Sequence, residues 1–356
     1  MVMKRSGVTK GTKAVLLVGG FGTRLRPLTN NRPKSFLPVL NRPFLEHIIV
    51  YLKNYGITDI ILTLNYLPEV IQNRFGDGKE YGVHLTYCIE KDPLGTAGAV
   101  KNAEAYLNET FFVFNGDIFT DMNLADMLAF HRRVKAKATI SLTWVDNPSA
   151  FGVVETDVNQ KVKRFIEKPP LNEATTNWIN AGIYVLEPEV FAQIPPGQHY
   201  MFEKGLFPRL LDIGSPIYSY SYKGYWLDMG TPQKYFNLNM DLLLSKTKSP
   251  LLIKHGFDSR DNDIHSTAKI IGPALIDRGC KIGPGVCIKG PVIIGKECII
   301  RDGAILEKAI LWDNVSIGQN SQLNECIIAS NTVIEDNSKI KDSVITQLKT
   351  VPLSVQ

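Results

Sequence analysis

Two hydrophobic periodicities follow one another along the chain. In the first two thirds, short apolar runs alternate with segments of helical spacing. Ala14-Val15-Leu16-Leu17-Val18 is apolar at every position, the pattern of a strand buried on both faces. Leu45, Ile48, Ile49 and Leu52 recur at helical spacing within Pro43–Tyr55, and Gly56 stands where a helix ends. Asp59–Leu64, His84–Ile89, Phe111–Asn115 and Ala138–Val145 are further strand candidates. Thr231-Pro232 supplies an N-cap and an N1 proline for a helix reaching about Ser245. This alternation predicts a layered, Rossmann-like α/β domain with a largely parallel sheet.

The last third changes period. Ile264, Ile270, Ile276, Ile282, Ile288, Ile294, Ile300 and Leu306 recur every six residues. After a five-residue step come Leu311, Ile317 and Leu323, and after a second come Ile328, Ile334 and Ile340. A six-residue period fits neither a helix nor an alternating strand; it is the hexapeptide β-helix pattern, with three hexapeptides to a coil and about four coils here. The repeat resembles the left-handed β-helix family, whose hand is a family property, since ordinary parallel crossovers are right-handed. The expected organisation is a flexible start (1–12), an α/β domain (13–246), a linker (247–263), the β-helix (264–345) and a tail (346–356).

Composition narrows the function classes. The 356 residues suit about two domains, and 44% apolar with 21% charged residues supports a sizeable core. The net charge of +5 suits anionic small substrates but is too dilute for a nucleic-acid surface. No run of 18 apolar residues suggests a membrane span. The basic, polar start lacks the apolar stretch of a signal peptide. Five cysteines without metal-ligand spacing point to reduced thiols in the cytoplasm, and those within the repeat read as interior fillers.

The candidate chemistry begins directly after the first strand, at Gly19-Gly20-Phe21-Gly22-Thr23-Arg24-Leu25-Arg26-Pro27-Leu28-Thr29, followed by Pro33-Lys34. A loop poor in side chains lets backbone N–H groups approach phosphate oxygens, and adjacent cations offset their charge. It is neither a Walker A loop nor a GxGxxG fingerprint. Pro93-Leu94-Gly95-Thr96-Ala97-Gly98 is a second glycine-bearing turn. Phe111–Asp117 is an apolar strand ending in an acid, at the strand end where α/β sheets bind ligands. Tyr225-Trp226-Leu227-Asp228 supplies another acid, and Phe151-Gly152-Val153, Glu167-Lys168-Pro169 and Asn180-Ala181-Gly182 lie between.

In this order the motifs resemble the GGxGTRLxPLTxxxPK family of sugar-1-phosphate nucleotidyltransferases, over about residues 13–246, with the hexapeptide tail in addition. The resemblance implies that Val18, Gly19, Gly20, Gly22 and Thr23 embrace a nucleoside triphosphate, with Arg24 and Lys34 on its phosphates. It implies that Asp92, Pro93, Leu94, Gly95 and Thr96 face the nucleobase. It places Gly152, Glu167, Lys168, Asn180 and Gly182 on the sugar phosphate, and gives Asp117 and Asp228 a shared Mg²⁺. Two carboxylates with phosphate oxygens would suit that ion, which keeps some of its waters.

The implied reaction joins a sugar 1-phosphate to a nucleoside triphosphate and releases pyrophosphate. A phosphate monoester is already anionic, so positioning and charge neutralisation carry the catalysis. The motifs are most similar to the mannose-1-phosphate guanylyltransferase branch, which usually carries Glu where this chain has Asp92. Glucose-1-phosphate uridylyl-, thymidylyl- and adenylyltransferase stay open, as does a non-catalytic nucleotide-sugar sensor. An acyltransferase role for the solenoid is disfavoured, because His265 is the only histidine in the repeat and about four coils are available. A homo-oligomer is expected, since solenoids associate side by side.

Overall fold

The structure is a computed structural model, and it describes residues 11–247 and 261–354. Most of the expected flexible start (1–10) and linker (248–260) lie outside the described residues. The chain divides into two compact units, Met1–Phe21 with Ile48–Trp226, and Gly22–His47 with Leu227–Gln356.

The first unit is built on a nine-stranded sheet. Its centre is parallel: Lys13–Leu17 lies between Asp59–Leu64 and Phe111–Asn115, and His84–Ile89 follows Asp59–Leu64. In register, Val15 stands between Ile61 and Val113, all three buried. Fully apolar strands are therefore central strands, as the hydropathy predicted. The other half departs from the expected parallel sheet. Trp178–Leu186 runs antiparallel to Phe111–Asn115, Ala138–Trp144 and Gly152–Thr156, and Val162–Glu167 runs antiparallel to Gly152–Thr156. Only the link from Gly152–Thr156 to Val162–Glu167 is too short for a parallel return, which needs a crossover of about a dozen residues. Helix Leu124–Val134 begins where the Asn123 side-chain oxygen accepts the Ala125 and Asp126 N–H groups at 3.2 and 3.4 Å.

The second unit contains the solenoid. Three rows of aliphatic residues stack in parallel register: Ile264, Ile282, Ile300, Ile317 and Ile334; Ile270, Ile288, Leu306, Leu323 and Ile340; Ile276, Ile294, Leu311, Ile328 and Ile345. These rows are the three flat sides that the hexapeptide period predicts. The five-residue steps have a local cause. At that corner Lys308, Glu325 and Asp342 take left-handed backbone (φ 46°, 50° and 47°), which turns the chain in fewer residues. The preceding coil passes the same corner through Gly290-Pro291, and its register shifts between Lys289 and Val292. Cys280, Cys298 and Cys326 are buried in the interior, and the Cys280 and Cys298 thiols donate to the carbonyls of Gly295 and Trp312 at 3.1 Å. Thr350–Pro352 folds back antiparallel on Lys339–Ile345.

One flat side is apolar on both faces. Next to its interior row, Ile293, Ile310, Ile327 and Val344 point outward yet are at most 1% exposed. On another side the outward Ile299 and Val333 are exposed. The first stripe is therefore a docking face within the second unit, where Pro232–Leu243 packs on Cys287–Ile294. Helix Pro232–Leu243 starts as predicted, with the Thr231 hydroxyl accepting the Lys234 N–H at 3.3 Å.

This distinction is measurable. Ile310→Ala should cost about 2–5 kcal/mol, like an interior truncation, whereas Ile299→Ala should change stability by less than about 0.5 kcal/mol. Denaturant midpoints of the two variants compare them directly.

Candidate active site

The first unit gathers its polar residues at one edge of the sheet, the carboxyl ends of the parallel strands. After Lys13–Leu17 come Val18, Gly19 and Gly20. After Asp59–Leu64 comes Asn65, whose backbone N lies 3.2 Å from where a Cβ on Gly19 would sit. After His84–Ile89 comes Glu90, and the Asn65 amide donates to its carbonyl at 3.1 Å. After Phe111–Asn115 come Gly116 and Asp117. Gly116 N–H donates to Leu17 O at 3.0 Å. A Cβ on Gly116 would lie 2.4 Å from Val18 Cγ1 and 2.6 Å from Leu17 O. Only glycine lets the two strand ends close on each other beside Asp117.

The turn expected to face the nucleobase is rigidly built. Glu90 is 8% exposed, and its Oε2 accepts the Leu94 N–H at 3.0 Å. Burial pushes the Glu90 carboxyl above the usual range, partly opposed by that hydrogen bond. Gly95 takes φ +72° with Tyr200 O against it, and helix Gly95–Asn102 begins there. The Thr96 hydroxyl accepts the Phe202 N–H at 2.9 Å and donates to Glu203 Oε2 at 3.3 Å. Asp92 and Pro93 are exposed. The buried acid beside this turn is Glu90, two residues ahead of the position the motif singled out.

The expected sugar-phosphate residues also lie in this unit. Glu167 is paired in register with Gly152, and a Cβ on Gly152 would stand 3.0 Å from Glu167 Oε2. Lys168 takes left-handed backbone (φ 47°); its N–H donates to Phe151 O at 3.0 Å and its ammonium lies 3.6 Å from Glu167 Oε1. Asn180 is committed locally: its amide donates to the Tyr184 hydroxyl at 2.8 Å and its oxygen accepts the Gly182 N–H at 3.0 Å. Gly182 (φ +73°) leaves room for the Asn115 amide, 2.8 Å from its absent Cβ. Glu203 is a further acid of this neighbourhood. Burial raises its pKa, Glu167 raises it further, and its bond from Thr96 and the charge of Lys168 oppose the shift.

The second unit holds the remaining candidates. Gly22 takes φ +62°, and the Thr29 hydroxyl donates to its carbonyl at 2.8 Å. Lys34 Cβ lies 3.1 Å from where a Gly22 Cβ would sit, so the turn and the lysine are packed together. Thr23 and Arg24 are exposed. Arg24 Nη2 and both Asp228 carboxylate oxygens each stand 3.1 Å from the absent Cβ of Gly230, which brings this arginine and this acid to one spot. Lys234 Nζ lies 3.5 Å from Asp228 Oδ2. Asp117 belongs to the first unit and Asp228 to the second. Among the described residues, no group of three or more His, Cys, Asp or Glu side chains could hold a metal by itself.

Sequence reading did not single out Glu90, Asn65 or Glu203. The strand-end argument applied to Asp117 also covers Glu90, since it follows the strand His84–Ile89. Glu203 carries no such signal, because it sits in a π-helical turn, Phe202–Leu206, and not at a strand end.

Comparison with known proteins agrees with this architecture. A family profile described as Nucleotidyl transferase matches residues 13–245, and one described as EIF2B subunit epsilon LbH domain, a left-handed β-helix, matches 254–353. The chain is 40% identical over 305 residues to a mannose-1-phosphate guanylyltransferase of Mycobacterium tuberculosis, covering 84% of each chain. It is 32% identical over 364 residues to a UTP--glucose-1-phosphate uridylyltransferase of Synechocystis, covering 95% of this chain and 94% of that one. Among solved structures it is similar to HddC from Yersinia pseudotuberculosis, with a TM-score of 0.57 and 28% identity over 64% of this chain and 98% of that one. The chain belongs to the nucleotidyl transferase family and is a sugar-1-phosphate nucleotidyltransferase. Enzymes of this family use a divalent metal. No helix among the described residues is long and apolar enough to cross a membrane.

Gly116→Ala tests the closure beside Asp117. Forcing a methyl between Leu17 O and Val18 should cost about 1–3 kcal/mol, the range of overpacking. Thermal unfolding of the variant measures it.

Proposed function

We propose that the chain joins GTP to mannose 1-phosphate, giving GDP-mannose and pyrophosphate. The observation that carries the base assignment is Glu90. An ionised carboxylate only accepts hydrogen bonds. The guanine edge offers adjacent N1–H and N2–H donors, which two carboxylate oxygens match. Uracil and thymine offer a single N3–H between two carbonyls, and such an edge leaves a buried carboxylate partly unsatisfied. Leu94 N–H fixes the orientation of the Glu90 carboxylate through one oxygen. Relatives named as mannose-1-phosphate guanylyltransferases, among them that of Pichia angusta at 40% identity over 331 residues, support the same pair. A second reading, UTP with glucose 1-phosphate, is favoured by the Synechocystis relative.

The main obstacle to the reaction is repulsion between two anions, so the protein's task is positioning and neutralisation. The sugar phosphate oxygen attacks the α-phosphorus in line with the departing pyrophosphate, and no covalent enzyme intermediate is needed. Arg24 offsets charge on the leaving pyrophosphate. Lys34 supports the triphosphate, held near Gly22 by its packing in that turn. Lys168 brings in the sugar phosphate, and Glu167, packed with Phe165 against Gly152, hydrogen-bonds sugar hydroxyls.

Asp117 and Asp228 are the proposed metal ligands. Hard carboxylate oxygens, too few to form a protein-only cage, suit Mg²⁺, which retains waters and takes substrate oxygens. When bound, the ion would supply positive charge to the phosphate oxygens.

Pyrophosphate release over a grid of nucleoside triphosphates and sugar 1-phosphates tests the assignment. GTP with mannose 1-phosphate should give the highest kcat/KM; a higher value for UTP with glucose 1-phosphate overturns it. Asp117→Ala should lower kcat by about 10²–10³, the scale of losing one charged partner from a transition-state site, with circular dichroism unchanged.

The Glu90 assignment also predicts a pH dependence. Burial raises this carboxyl, so its protonated form appears at higher pH than for an exposed glutamate. The acceptor is lost as the pH falls, and KM for GTP should begin to rise at a higher pH than an exposed glutamate would produce. Glu90→Gln should have a raised KM for GTP at neutral pH and a flat profile below it.

A further inference from the structure

The segment carrying Arg24 and Lys34 has little regular structure. It holds two single turns, Thr23–Leu25 and Lys34–Phe36, and two-residue strands at Pro38–Val39 and Arg42–Pro43. Its anchors lie far along the chain, in the same unit. The Tyr235 hydroxyl, on helix Pro232–Leu243, donates to Pro38 O at 2.6 Å and accepts from Trp312 Nε1–H at 2.9 Å. Trp312 follows the solenoid strand Ile305–Leu311. The Arg32 guanidinium lies 4.6 Å from the centre of its ring, two residues before Lys34. On the same helix, the Asn239 oxygen accepts the Leu40 N–H at 2.9 Å, and Asn41 donates to Ile294 O of the solenoid at 2.8 Å.

These contacts are chemically matched. An indole only donates, a carbonyl only accepts, and a phenol hydroxyl does both, so the relay from Trp312 to Pro38 runs in one direction. Tyr235 is fully buried and Trp312 nearly so, which makes an unmade bond there costly. Burial also lowers the Arg32 pKa, while Asp313 beside Trp312 favours its charge. An arginine kept half-buried against an indole, when it could reach water, is held there by the packing of the segment.

We propose that Trp312, Tyr235 and Arg32 are positioning residues through which the β-helix sets the phosphate-binding segment, so that solenoid side chains tune affinity for the triphosphate. The proposal rests on the reading that Arg24 and Lys34 serve the triphosphate. It assigns the solenoid a role in substrate binding separate from its contribution to stability. Ordering a segment that lacks its own hydrogen-bonded ladder costs backbone entropy on every turnover unless the fold meets that cost in advance.

The test uses the full chain. Trp312→Ala removes the ring under Arg32, Trp312→Phe restores a ring face without the N–H, and Tyr235→Phe deletes one oxygen and both its bonds. Leu323→Ala, in the solenoid interior, is the stability control. KM and kcat are read from pyrophosphate release with GTP and mannose 1-phosphate, alongside thermal unfolding. Trp312→Ala should raise KM for GTP about tenfold, the scale of a coupling residue, with KM for mannose 1-phosphate within about twofold of wild type. Trp312→Phe and Tyr235→Phe should fall between. Leu323→Ala should lower the unfolding midpoint and leave KM for GTP alone. Folded Trp312→Phe and Tyr235→Phe with wild-type constants overturn the proposal. So does a parallel rise in both KM values, or the same GTP effect in Leu323→Ala. Should wild type prefer another substrate pair, the base and sugar assignment fails by itself, and the same comparison is made with that pair. A folded wild type that turns over no pair overturns both.

Discussion

Repulsion between two phosphate-bearing substrates is the constraint on which this structure depends. It can be overcome only by cations and donors that are already in place, because flexible charges are bought with entropy at the moment of binding. The two units hold their candidate site groups by different means. In the first, groups sit at the ends of adjacent strands, and the sheet itself fixes them. Gly116 closes on Leu17 and Val18, Glu90 is locked by Leu94, and Thr96 bridges Phe202 and Glu203. In the second, the cationic segment has no sheet to belong to, and side chains from a helix and a solenoid hold it.

The difference explains what could be read from the sequence. Apolar runs reveal central strands, since a strand buried on both faces has no polar positions to disguise it. The hexapeptide rows were legible for a related reason: every coil repeats the same interior requirement, and even the five-residue steps mark a real corner with left-handed Lys308, Glu325 and Asp342. The antiparallel half of the sheet was less legible. Trp178–Leu186 and Ala138–Trp144 are long and mostly buried, but hydropathy reports burial and not strand direction.

The site divided along similar lines. Glycine-rich turns and strand-end acids announce themselves because few residue types fit them. Asp92 drew notice through its place in a motif, yet Glu90 is the acid that the fold buries, and burial is a tertiary fact. Asn180 was expected to meet a sugar hydroxyl; each end of its amide already makes one bond, to Tyr184 and Gly182, and keeps one further hydrogen-bonding position. The bond from Tyr235 to Pro38 joins residues 197 positions apart. No local pattern encodes such a pair; only the folded helix brings the phenol to that carbonyl.

One trace of that arrangement was nevertheless present in the chain. Ile293-Ile294, Ile310-Leu311, Ile327-Ile328 and Val344-Ile345 are aliphatic doublets, repeated once per coil on a single side. A solenoid needs only one inward residue per strand, so the second member of each doublet has no use in the interior. Its near-complete burial shows that the face is covered. The outward stripe thus separates a solenoid built to pack within its own chain from one left open to solvent. Trp312, placed directly after one doublet, extends the covered face toward Tyr235 and Arg32. The hydrophobic stripe supplies the area and therefore the stability of that packing. The indole, phenol and guanidinium add directional contacts, and directional contacts are what can place a lysine two residues away to within a fraction of an ångström.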